Sequence, residues 1–156
     1  MKKSDFKAIA CEQCDKFAEQ IRCNYAHSLK MYLQLYNKYK QIKTITTIEG
    51  GELKKHFKIV DQYFYNKSGK LNWDIISLML PPNFEGRLKK EYKTLNENEI
   101  RLCCLIFFNV PNKIISDILP YTQDSVRTIA SQVRKKVEMS DIKSRLKDIM
   151  IETIFE

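Results

Sequence analysis

Residues 123–137 carry hydroxyls, guanidinium groups and ammonium groups at helical spacing: Ser125, Arg127, Thr128 and Ser131, then Arg134, Lys135 and Lys136. Hydroxyls and a guanidinium in the first turns of a helix can read base edges, and cations can hold phosphate oxygens. The candidate base contacts are therefore Ser125, Arg127, Thr128 and Ser131. Arg127 is the main candidate for specificity, because a guanidinium pairs bidentately with guanine O6 and N7. Asp124 either faces the same groove or serves the helix start as a first-turn anion. The candidate phosphate contacts are Lys113, Arg134, Lys135 and Lys136. On the opposite side, Val126, Ala130, Val133 and Val137 recur at spacings of four, three and four, which makes an apolar face.

The elements that must position this helix lie in residues 95–137, read as three short helices. Asn96 and Glu99 fit a capping box, so the first helix opens there and runs through Phe108. A second begins near Asn112 and stops at Pro120, since the proline ring disfavours helical geometry for Leu119 and donates no N–H. Thr122 caps the third, from Gln123 to about Val137. Two helices joined by a short turn, the second exposing donors and cations, match the helix-turn-helix that places a recognition helix in the DNA major groove. Ser140 and Asp141 cap a last helix over 142–155, with Ile142, Leu146, Ile149, Met150 and Ile154 on one side. It either forms a dimerisation surface or folds back on the first helix of the trihelical unit.

Upstream, residues 4–47 contain no Gly or Pro, and Ser4 with Asp5 makes a helix start. Ala10, Cys14, Phe17, Ile21, Tyr25, Ser28, Tyr32, Leu35, Tyr39 and Ile42 step by fours and threes, with an extra four after Ile21, as in a heptad seam with a stutter. The helix then packs against its own domain or forms a dimerising coiled coil. The β-branched run Thr44-Ile45-Thr46-Thr47 and Gly50-Gly51 end it. Further helices are expected near 52–66, 71–80 and 84–92. The fold class is all-α: four Gly and four Pro in 156 residues suit helix, and no run alternates apolar and polar residues over six positions. Two regions follow, a helical platform over 1–93 and the helix-turn-helix unit with its extra helix over 94–156.

The formal charge of +8 favours an anionic partner such as double-stranded DNA. No segment reaches the ~18 apolar residues of a membrane span, and the start MKKSDF lacks an apolar signal region, so a cytoplasmic location is expected. Five cysteines, two of them adjacent, fit reduced thiols. Cys11, Cys14, Cys23 and His27 resemble a zinc spacing, but on one helix the outer two stand about 24 Å apart at ~1.5 Å per residue, so no metal site is expected. His27 and His56 lie in expected helices without a nucleophile motif, and no phosphate-binding glycine loop occurs. Neither an enzyme nor a cofactor is expected. The competing reading is a helical protein-interaction module of a signalling complex, without DNA binding.

Residues 95–137 resemble the LuxR-type helix-turn-helix, which is related in shape to sigma factor region 4. Leu95, Asn96 and Glu99 match the family's opening, Asn112 to Ser116 its second helix, Ser125 to Thr128 its recognition helix, and Lys135 to Val137 its ending. Val110-Pro111 replaces the family's glycine, Ile114 its Glu, and Pro120-Tyr121 its turn residue. Trp73-Asp74, Leu78 and Pro82-Asn83-Phe84 resemble the segment preceding the helix-turn-helix in Bacteroidetes-type regulators with tetratricopeptide repeats and one membrane span. The resemblance implies a DNA-binding transcriptional regulator, acting as a homodimer through the N-terminal or C-terminal helix. It also implies either the cytoplasmic part of a membrane-anchored sensor or a free-standing relative.

Overall fold

The computed structural model describes residues 11–46 and 51–154. Within them the chain forms α1 (Cys11–Thr46), α2 (Gly51–Phe64), α3 (Trp73–Leu78), α4 (Phe84–Glu91), α5 (Glu97–Phe107), α6 (Asn112–Ile118), α7 (Gln123–Lys136) and α8 (Met139–Ile154). The fold is all-α as expected, and among the described residues the β-type pairing is an isolated antiparallel bridge between Tyr65 and Leu71. No helix of the described residues is long and apolar enough to cross a membrane. The expected helix start at Ser4 and Asp5, Ala10 of the seam, Thr47, Gly50 and Phe155 lie outside the described residues.

Several boundaries differ from the expectation for identifiable reasons. Helix α2 stops at Phe64 rather than near 66, because Tyr65 enters the bridge and Asn66 opens a turn. The Asn66 carboxamide oxygen accepts the N–H groups of Ser68 and Lys70 at 2.9 and 3.0 Å, and Gly69 supplies the φ of +77° that closes the turn. Leu71 is taken by the same bridge, so α3 begins two residues later than expected, with Asn72 as its cap accepting from Asp74 N–H at 3.1 Å. The last helix starts at Met139 instead of 142, since the Glu138 carbonyl already accepts the Ile142 N–H at 3.0 Å. Ser140 and Asp141 therefore lie inside its first turn, where an anion suits the helix dipole.

Buried residues on both sides of position 93 join one core. Ala18, Leu29, Leu33 and Tyr36 of α1 enter it from one side, and Ile142, Leu146, Ile149 and Met150 of α8 from another. Helix α8 packs on α4, α1 and α5, so its apolar stripe is spent inside the chain. Arg145 pairs with Glu91, and Arg87 with Glu152, which lock α8 to α4. The α1 seam splits in two. Tyr25, Tyr32 and Tyr39 turn inward, where Tyr39 stacks on Phe64 at 5.1 Å and donates to Asp61 at 2.6 Å, while Ser28 and Leu35 face outward. Burial pushes Asp61 up, but Lys43 and Tyr39 outweigh it and hold the carboxyl below its usual range. Cys11, Cys14, Cys23 and His27 lie along this one unbroken helix. Cys103 and Cys104 are buried thiols in α5, and burial raises Cys103 to about 12.

The end of α5 is closed by a residue that the sequence pattern did not single out. Asn109 adopts φ 61° and donates its N–H to the Ile106 carbonyl, while Val110 N–H reaches Leu105, each at 3.0 Å. This is a Schellman closure with Asn in the left-handed position usually held by Gly. Arg22 of α1 completes it, donating to the Phe107 carbonyl at 2.8 Å and to Asn109 Oδ1 at 3.1 Å. Two stability changes follow. Asn109→Val costs about 1–2 kcal/mol more than Asn109→Gly, because a β-branched residue strains in that conformation. Tyr32 packs its ring on Phe64 but its buried hydroxyl has no partner among the described residues. Tyr32→Phe therefore raises stability by about 1 kcal/mol or more. Urea unfolding midpoints check both.

Candidate nucleic-acid interface

The trihelical unit is built around the start of α5. Asn96 Oδ1 accepts the Glu99 N–H at 2.9 Å, and Glu99 Oε1 accepts the Asn96 N–H at 3.0 Å, so the capping box forms in both directions. Glu99 is only 3% exposed, and the same Oε1 accepts Lys136 Nζ from the end of α7 at 2.9 Å. Burial alone pushes this carboxyl up. The Lys136 ammonium and the Asn96 N–H outweigh it and hold it below its usual 4.5.

Helix α6 buries Ile114, Ile115 and Ile118 and packs on α7, which buries Val126, Ala130 and Val133 and also packs on α5. The turn between them runs through buried Leu119, exposed Pro120, Tyr121 and Thr122. Leu119 is extended, as a residue before proline prefers, and Thr122 Oγ1 accepts the Ser125 N–H at 3.2 Å to start α7. The C-terminal carbonyls of α6 are held by the platform: Lys70 Nζ donates to Ser116 at 2.9 Å and Leu71 N–H to Asp117 at 2.9 Å. Lys40 of α1 also approaches Asp117, at 3.9 Å. Those partners lie far away along the chain, so no local sequence signal announces them.

On α7, Arg127, Thr128, Ser131, Arg134 and Lys135 are exposed. At about 100° per residue Thr128, Ser131 and Lys135 lie opposite the buried valines, and Arg127 and Arg134 line one flank of that face. Asp124 sits on that face too, in the first turn. Ser125 does not join them: it is half-buried, and its Oγ lies 2.7 Å from Thr122 Oγ1 in the cap. Lys136 is turned toward Glu99, away from the other cations. Lys113 is exposed in the first turn of α6. The face thus offers two guanidinium groups, an ammonium and two hydroxyls. Such a donor-rich surface suits the acceptors of base edges and phosphates. Trp73 Nε1 donates to Glu85 at 2.7 Å, and Arg101 both pairs with Glu85 at 3.0 Å and lies over the Trp73 ring, which ties the upstream segment to α5.

No family model matches this chain, and neither a curated protein nor a solved structure matches it.

The Glu99–Lys136 pair has a defined pH signature. A carboxyl held low in the folded state contributes stability that is present above its unfolded value near 4.5 and lost as pH falls through the folded value. Glu99→Gln keeps an acceptor for the Asn96 N–H but removes the charge. We expect it to lower stability at pH 7 by about 1–2 kcal/mol, and the urea midpoints of the two proteins to converge as pH falls below 4.5 and through the folded value.

Proposed function

We propose that this chain is a sequence-specific, DNA-binding transcriptional regulator of LuxR-like type, with α7 as its recognition helix. The observation that carries the reading is the pairing of α6 and α7 across a four-residue turn, with the apolar side of α7 buried and Arg127, Thr128, Ser131, Arg134 and Lys135 displayed outward. In this arrangement the N-terminal turns of α7 enter the major groove. Arg127 reads a guanine, while Thr128 and Ser131 contact neighbouring base edges or phosphates. Arg134 and Lys135 grip the backbone at the far end of the helix, and Lys113 grips it from the start of α6. Ser125 contributes by holding the helix start, and Lys136 touches phosphate only by sharing its bond to Glu99.

One such unit offers limited contact area, so specific binding uses two copies on spaced half-sites. The protein then acts in the cytoplasm, where its DNA lies, as a free-standing regulator or as the cytoplasmic part of a membrane-anchored one. Residues 1–80 hold 14 Lys and Arg against 8 Asp and Glu, which leaves +2 for the remainder. The reading therefore leans on the pattern of α7 and on the resemblance rather than on overall charge.

Genomic binding-site selection with the purified chain tests it: enrichment of a common motif is expected, and no enrichment would sink the reading. On the selected site Arg127→Ala loses about 1–3 kcal/mol of binding free energy and little on random DNA. Lys135→Ala weakens both and lowers the salt slope by about 1.

A further inference from the structure

A cleft of about 350 Å³ lies where α1, the end of α5 and α8 meet. No local sequence pattern announces it, because its walls come from three distant segments. Small-molecule sites in proteins begin at about this size, ~300 Å³, and combine an apolar lining with a few convergent polar groups. The floor here is apolar: Ala18 of α1, Phe107 of α5 and Met150 of α8 are buried, with Ile106 half-buried beside them. The rim is cationic. Arg22, Lys143 and Lys147 line it against one carboxylate, Glu19. Lys143 and Lys147 stand four residues apart on one face of α8, and Ser144 also lines the opening.

The pairings around the rim decide which charge is left over. Arg22 spends its guanidinium on Glu19 at 3.0 Å, on the Phe107 carbonyl and on Asn109, and it lies over the Phe107 ring at 5.3 Å. Lys147 pairs with Asp15. Lys143 is exposed and has neither an ion pair nor a hydrogen bond among the described residues, and the same holds for the Ser144 hydroxyl. Three cations against two carboxylates leave one positive charge, next to an unused hydroxyl and above an apolar floor. A cation would be repelled by Lys143, and a bare inorganic anion would leave the floor wet. We propose that this cleft binds a small organic monoanion with an apolar body, such as an aromatic or short-chain carboxylate. The body covers Phe107, Ile106 and Met150, and the carboxylate accepts from Lys143 Nζ and Ser144 Oγ. Arg22 is already fixed by its own partners, so binding orders little besides Lys143. At the ~30 Å³ that a water occupies in the liquid, the cleft holds roughly a dozen non-hydrogen atoms. The efficiency usual for small ligands then gives a Kd of about 0.1–1 mM. Such a ligand touches α1, α5 and α8 at once, and so fastens the platform to the trihelical unit.

The proposal does not rest on DNA binding, and its test contains no DNA. The probes are phenylpropionate and its neutral amide, phenylpropionamide, which share size and shape and differ in charge. Each is titrated into the full chain and followed by backbone amide NMR shifts. Saturating shifts are expected at Ala18, Asn109 and Lys147, with the acid binding about 5–10-fold tighter than the amide. Lys143→Ala weakens the acid by about 5–10-fold and leaves the amide unchanged, whereas Lys143→Arg keeps the preference. Lys143 is exposed and unpaired, so both variants fold as the wild type does. Lys54→Ala, exposed on α2 away from the cleft, is the control and changes neither affinity. Saturating acid also raises Tm by a few degrees, since it binds the folded chain alone. No shifts up to roughly 10 mM acid, or shifts confined to residues outside the cleft, overturn the proposal. Equal affinity for acid and amide, or a preference that survives Lys143→Ala, overturns the assignment of an anion held at Lys143.

Discussion

The buried carboxylate of Glu99 is the constraint on which the trihelical unit depends. Removing a carboxylate from water is costly unless it gains donors, and here it gains two of different origin. One comes from the backbone of Asn96, so the same oxygen that closes the start of α5 also fixes where that helix begins. The other comes from Lys136, 37 residues on, at the last turn of α7. A single oxygen atom therefore sets the beginning of one helix against the end of another. The distance between these two points decides how α7 leans across α5, and thus which way Arg127 and Ser131 point.

The platform constrains the same unit from its other side. Arg22 of α1 closes the end of α5, and Lys70 and Leu71 close the end of α6. These are helix C-termini, whose carbonyls lack partners within the helix and attract donors. The first half of the chain thus supplies the caps that the second half lacks. Together with the shared core, this explains why the platform and the trihelical unit are packed as one body rather than hung on a linker.

Local signals were legible where the chemistry is local. The Asn96–Glu99 box, Thr122 before α7 and Pro120 after α6 are all written within a few residues, and each stands where the sequence places it. The apolar periodicity of α7 and α8 identified their buried faces for the same reason. What escaped was set by distant partners. Glu99 looked like a capping residue and Lys136 like a phosphate contact, and only the folded chain brings them together. The short α3 reflects a bridge between Tyr65 and Leu71 that no helix periodicity reports. On α1, apolar residues on both sides of the helix merged into one seam with a stutter, because spacing alone does not tell which edge of a wide stripe meets the core. Asn109 was readable in principle, since Asn tolerates the left-handed cap, but its neighbours Val110 and Pro111 carry the more familiar break signals.

The adjacent thiols of Cys103 and Cys104 give the chain a clock for its own opening. Thiol reagents attack the thiolate, and burial that raises Cys103 to about 12 leaves almost none of it in the closed fold at neutral pH. These two sulfurs react only when α5 is released, whereas Cys23 is exposed on α1 and reacts throughout. The ratio of slow to fast labelling then reads, in the intact chain and without any engineered residue, how often the helix that carries Glu99 comes free.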